Sequence, residues 1–136
     1  MMTANIPLEC VAFMLIADRR ILVEKRSASK RLLPGAIAIP GGHVDMGETL
    51  ADALVRELHE ELNITPQRFA HVCTRLHQAE EFRRIHYFAV TQWIGEIHVL
   101  EATSIHWLPL DDLSTLVLDI DRTAVAEYLQ QISPTK

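Results

Sequence analysis

The chain has little of what a secreted, fibrous or membrane protein needs. Cysteine occurs only twice in 136 residues. Cys10 and Cys73 each sit in an apolar, strand-like stretch with no ligand-spaced neighbour, which predicts buried free thiols rather than a disulfide. Repeats and low-complexity segments are lacking, so a collagenous or disordered scaffold is excluded. Long hydrophobic runs are lacking too: Cys10 to Ala17 spans eight residues, far short of a membrane span. Met1 to Pro7 carries neither a basic region nor an apolar segment, so no secretory leader is read and a cytoplasmic location is expected. Basic residues are in deficit, 13 against 18 acidic, for a net charge of −5. A polyanion binder carries the opposite surplus, so nucleic acid as a polymer partner is disfavoured.

What is present is a globular composition, 49% apolar and 23% charged, at a length suited to one domain over residues 1–136. Leu8 to Ala17 and Ile21 to Lys25 read as neighbouring strands around a polar turn at Asp18-Arg19-Arg20. A loop over Ser27 to Gly35 leads to a short strand at Ala36 to Ile39, then to Pro40-Gly41-Gly42 and a further loop. From Thr49 to Leu62 a helix is predicted, with Leu50, Ala51, Leu54, Val55, Leu58 and Leu62 as its packed stripe. Asn63 stands where a left-handed cap is needed, and Thr65-Pro66 stops the helix. Phe69 to Leu76, Ile85 to Trp93 and Ile105 to Leu108 read as strands, and Asp121 to Ile132 as an amphipathic helix. The order predicts an α/β domain with helices packed on a sheet.

The chemistry is concentrated between Gly41 and Ile64. Glu57, Glu60 and Glu61 stand three and four residues apart, so their carboxylates share an arc of about 100° on the helix. Like charges so placed repel, and a hard divalent cation such as Mg²⁺ or Mn²⁺ would reverse that sign. The glycines before the helix let backbone approach such a centre closely. A solvated helix face would explain Glu-Leu-His-Glu-Glu alone, but the spacing is far more constrained. Gly42, five residues, Glu48, seven residues, Arg56-Glu57-Leu58, one residue, Glu60-Glu61 and then Ile64 would match by chance roughly once in 10⁸ starts.

This segment, residues 42–64, resembles the Nudix box, and the chain is identified as a MutT-type member of the Nudix hydrolases. Asn63 is the one departure, replacing the last glycine of the box. The Pro-Gly-Gly segment, Thr65-Pro66-Gln67 and Trp93-x-Gly95-Glu96 are also similar to MutT-type members. The resemblance implies an α/β/α sandwich with a mixed β-sheet. It also implies that Glu57, Glu60 and Glu61 are metal ligands together with the Gly41 carbonyl. By the same resemblance Glu48 and Gly42 support the site, and Arg56 orients a catalytic glutamate. Glu101 occupies the place of an additional glutamate, either a metal ligand or the base that activates water, with Glu96 and the Glu80-Glu81 pair as competitors. Arg26 matches an arginine that contacts the nucleotide.

Other signals point elsewhere or nowhere. His59-Glu60 lacks the second histidine of a metalloprotease pair, and no P-loop is present. His71, His77, His86 and His98 lie at strand parity, where packed or half-exposed histidines are expected. Tyr87 and Trp107 are expected in the core. The expected function is Mg²⁺-dependent hydrolysis of a nucleoside triphosphate, with 8-oxo-dGTP as a candidate, to monophosphate and pyrophosphate. The asparagine that reads the modified base in MutT-type enzymes has no clear counterpart, and Asp119 is the candidate substitute. Two other readings stay open: hydrolysis of another nucleoside diphosphate derivative such as ADP-ribose or a nucleotide sugar, and nucleotide sensing without turnover. The expected partner is a small nucleotide, with no membrane, and a homodimer is compatible with the sequence.

Overall fold

A computed structural model describes residues 6–26, 35–79, 81–100 and 104–132; in it the longest apolar run becomes strand β1 (Leu8–Ala17). That run does not alternate in polarity because both faces of the strand are covered. Cys10, Ala12, Met14 and Ile16 enter one core cluster, and Val11, Phe13 and Leu15 enter another. Strand β2 (Arg20–Lys25) follows through a tight turn in which Asp18 and Arg19 both take positive φ, 52° and 60°. Ala17 pairs with Arg20 across it, the twist-matched two-residue hairpin.

Strands β3 (Ile37–Ala38), β4 (Gly41–His43), β5 (Thr65–Gln78), β6 (Phe82–Ile94) and β7 (Ser104–Pro109) complete a seven-stranded sheet. Its order is β3-β2-β1-β6-β5, with β4 paired to β1 and β7 to β2. β1 and β6 run parallel while the other pairings are antiparallel, so the sheet is mixed. Helix α1 (Leu50–Leu62) packs on the face that carries Val11, Phe13 and Leu15. Helix α2 (Asp119–Ile132) covers the opposite face through Ala124, Val125 and Tyr128. This is the expected α/β/α sandwich. Among the described residues no helix is long and apolar enough to cross a membrane.

Three sequence-based expectations are corrected. Gly41 to His43 is a strand rather than loop, since it pairs with Cys10, Val11 and Ala12 of β1. A Cβ at Gly41 would lie 2.1 Å from the Val11 carbonyl oxygen, so only glycine allows that approach. The β5–β6 hairpin is longer than its apolar centre, because Phe82, Arg83 and Arg84 continue the ladder. On α1, Ala51 and Val55 are exposed and Ala53 is buried. The packed stripe is rotated toward Glu57 and Glu61, which are buried, so the acidic arc turns partly inward.

Both ends of α1 are capped as the sequence implies. Thr49 Oγ1 accepts from the Asp52 N–H at 3.0 Å. Asn63 is left-handed, φ 62° and ψ 36°. Its N–H donates to the His59 carbonyl at 3.1 Å, the bond of the simple αL cap, and the Ile64 N–H reaches the Leu58 carbonyl at 3.5 Å. Asn63→Gly should hold or raise stability, whereas Asn63→Val should cost about 1–2 kcal/mol. Urea denaturation monitored by circular dichroism measures both, and equal midpoints for the two variants would contradict the cap assignment.

Candidate active site

The turn between β4 and α1 is closed by its own polar groups. The Glu48 N–H donates to the Asp45 carbonyl at 3.0 Å, and the Asp45 N–H donates to Glu48 Oε1 at 2.8 Å. Gly47, with φ 85°, provides the left-handed step inside it. Arg56 then ties this turn to the helix. Its Nε donates to Glu48 Oε2 at 2.7 Å and its Nη2 to Glu48 Oε1 at 2.9 Å, a two-pronged pair. Nη2 also donates to the His43 carbonyl at 2.9 Å. Nη1 donates to Glu57 Oε2 at 3.0 Å and to Glu60 Oε1 at 3.2 Å.

These contacts set the electrostatics. The Arg56 guanidinium, helped by the Asp45 N–H, holds the Glu48 carboxyl down to about 2 from its ordinary 4.5. Arg56 is in turn driven up by Glu48 first and by Glu57. The carboxylate of Glu57 is seated where a side chain on Gly42 would have to go: a Cβ there would lie 2.2 Å from Glu57 Cδ. Glu57 and Glu61 are buried, while the Glu60 side chain is 49% exposed.

The oxygen-only donor set of Glu57, Glu60, Glu61 and the Gly41 carbonyl suits a hard divalent cation. Among the described residues, however, no three acidic, histidine or cysteine side chains converge into a ready cage. Glu57 and Glu60 are instead both engaged by Arg56 Nη1. Mg²⁺ tolerates such a site, because it keeps waters and shares its ligands with substrate phosphates.

Beside the acidic arc lies a cavity of about 420 Å³ whose wall includes Gly41, Gly42, His43 and Arg26. Its most buried charged residue is Asp121, 3% exposed. Asp121 Oδ2 accepts from the Ile39 N–H at 3.1 Å, and Oδ1 accepts from the Tyr87 hydroxyl at 2.6 Å. Burial pushes the Asp121 carboxyl up, against the hydrogen bonds from Tyr87 and Ile39.

Of the residues singled out from sequence, Glu48, Arg56, Glu57 and Glu60 are joined directly, and Gly42 makes room for Glu57. Glu61 shares their helix face, and Arg26 lies on the cavity wall. Glu101 falls outside the described residues, as does Glu80. The chain just before Glu101 is anchored to α1, since the Leu100 N–H donates to the Glu61 carbonyl at 3.0 Å. Glu96 is 90% exposed beside His98, and Glu81 pairs with His43 at 3.1 Å. Asp119 is corrected as a base-reading candidate: it is 84% exposed and paired with Arg122, because the cavity faces the buried side of α2. Sequence reasoning missed Asp121, although an acid at the head of the stripe Asp121, Ala124, Val125, Tyr128 was a visible signal.

Since the Glu48 pKa is lower folded than unfolded, its contribution to stability is complete above pH 4.5 and is lost as pH falls toward 2. Urea titrations of the wild type and Glu48→Gln should therefore diverge above pH 4.5 and converge toward pH 2. A constant gap across that range would show that Glu48 is not held by Arg56.

The NUDIX domain family model matches residues 8–130. The chain is 33% identical over 99 residues to the 8-oxo-dGTP diphosphatase of Escherichia coli K12, covering 71% of this chain and 75% of that protein. A shorter match, 42% identical over 50 residues, links it to an ADP-ribose pyrophosphatase of Methanocaldococcus jannaschii and covers 37% of this chain and 28% of that one. The crystal structure of a MutT NUDIX hydrolase from Burkholderia pseudomallei superposes with a TM-score of 0.81 at 28% identity, covering 89% of this chain and 97% of that one. The chain belongs to the Nudix family and is a pyrophosphohydrolase.

Proposed function

We propose that this protein hydrolyses a nucleoside triphosphate to the monophosphate and pyrophosphate with Mg²⁺ as cofactor, and that an oxidised purine nucleotide such as 8-oxo-dGTP is its substrate. The observation that carries the reading is the continuity of the Arg56-centred acidic arc with the cavity through Gly41 and Gly42. A nucleotide can lay its base toward Asp121 and its phosphates toward the arc. The likeness to an 8-oxo-dGTP diphosphatase over most of the chain supports the substrate class.

In this reading Glu57, Glu60, Glu61 and the Gly41 carbonyl hold the cation. When bound, it neutralises phosphate oxygens and lowers the pKa of the attacking water. Arg56 fixes Glu57 and Glu60 on one side of the helix, and Glu48 fixes Arg56. Glu60 is the exposed carboxylate of the arc and so is open to take the water's proton, with Glu101 as the second proton acceptor to test. Arg26 contacts the nucleotide from the cavity wall. The whole chain acts as one cytoplasmic domain.

ADP-ribose hydrolysis is the second reading, favoured by the shorter match to an ADP-ribose pyrophosphatase. A substrate panel with Mg²⁺ or Mn²⁺ separates the two, because only a triphosphate substrate yields pyrophosphate, whereas ADP-ribose yields AMP and ribose 5-phosphate. Glu60→Gln should lower kcat about 100-fold or more with an unchanged circular dichroism spectrum. Wild-type turnover in that variant would remove Glu60 from the site. Binding with Mg²⁺ but no product of either kind would favour a sensor.

A further inference from the structure

We infer that Arg83 is a nucleobase-binding residue, whose Nε–H donates to a carbonyl oxygen of an oxo-base held in the cavity across from Asp121. This rests on the nucleotide reading above and extends it to a residue and a base class.

Arg83 lies near the start of β6, paired with Leu8 of β1 and His77 of β5, and it lines the cavity. Its Nε is buried and has no hydrogen-bond partner; among the described residues no other buried side-chain nitrogen or oxygen is left so. Folded proteins rarely leave a buried donor unpaired, because it gives up water without replacement. The orphan is therefore explained best by an acceptor that arrives with a ligand.

The surroundings define that acceptor. The Arg83 guanidinium acts on Cys10 both by its charge and by a side-chain hydrogen bond, and its charge reaches Tyr87 and Asp121, lowering the pKa of each against the burial that raises it. Yet Asp121 spends its oxygens on the Ile39 N–H and the Tyr87 hydroxyl. The guanidinium is thus near the carboxyl without being consumed by it. A guanidinium has donors only, so its ligand atom must be an acceptor. Phosphate is one, but a phosphate here would face the carboxylates of Asp121 and Glu24, which share the wall. A neutral oxo-base suits both ends: its carbonyl accepts from Arg83, while its N–H groups can donate to the remaining lone pairs of Asp121. Guanine and its 8-oxo form carry such carbonyls, and adenine carries none.

The test compares the wild type, Arg83→Met and Arg83→Lys on dGTP and dATP with Mg²⁺, with metal-free titrations of dGMP and dAMP. Arg83→Met should lower the dGTP to dATP ratio of kcat/KM about tenfold, through KM, and weaken dGMP binding by a similar factor. Binding of dAMP should change little, and lysine, which lacks the directed Nε–H, should not restore the ratio. Equal losses on both nucleotides with rescue by lysine would instead assign Arg83 to phosphate and overturn the inference. An unchanged ratio and dGMP affinity, or no dGMP binding by the wild type, would overturn it too. If the wild type releases no pyrophosphate from either triphosphate, the hydrolase reading fails, and the dGMP titration alone decides the role of Arg83.

Discussion

The Arg56 guanidinium carries the shape of the acidic region. Glu48, Glu57 and Glu60 all bond to it, and Asp45 lies within 3.4 Å. One positive charge among three carboxylates leaves at least two negative charges uncompensated, before Glu61 is counted. The arrangement therefore cannot be understood as a self-sufficient ion-pair network. It is stable enough to fold because Arg56 also grips the His43 carbonyl and because Glu48 closes its own turn. That residual charge suits the arc to a divalent cation, which Glu57, Glu60 and Glu61 would hold and which would supply the largest positive charge beside a phosphate.

Strand β1 is what brings this arc and the cavity together. Its backbone supports β4, where the absence of side chains at Gly41 and Gly42 admits Val11 on one side and the Glu57 carboxylate on the other. Its alternate side chains face opposite layers, so Val11 belongs to the core under α1 while Cys10 and Ala12 belong to the core under α2, and all three residues border the cavity. The burial that places Cys10 on that wall also drives its thiol up to about 11. A Cys10 thiolate is thus disfavoured, in keeping with a wall residue rather than a nucleophile.

The acidic helix was legible from sequence because its geometry is local. Three and four residue steps put Glu57, Glu60 and Glu61 on one arc whatever surrounds them, and Asn63 announces its left-handed cap. The phase of the helix was less legible: Val55 is the more apolar side chain yet is exposed while Ala53 is buried, because the stripe turns toward Glu57 and Glu61. β4 was hidden because glycine is depleted in strands, so its strand character comes from contact with β1 rather than from propensity. The cavity floor was the least legible. Asp121 meets Ile39 across 82 positions and Tyr87 across 34, and no local period encodes such a meeting. Arg83 gave still less signal, since an arginine at a strand start is ordinarily solvated, and its orphaned nitrogen exists only in the folded chain.

The net charge of −5 describes neither end of the site. In the proposed reading the phosphates lie against the acidic arc of Glu57, Glu60 and Glu61, and a bound cation would make that end receptive to them. In the same reading the base lies where Arg26 and Arg83 share the wall with Glu24, Glu81 and Asp121, so charge of both signs is present there. Affinity at the phosphate end would then depend on the metal and on ionic strength, while affinity at the base end would rest on directed hydrogen bonds in a sheltered space. A division of that kind would separate recognition from chemistry, since the base could be read before a cation completed the phosphate end. It also explains how an acidic chain can serve a polyanionic substrate, since bulk repulsion governs the approach of long polymers more than the docking of a small ligand with its own metal.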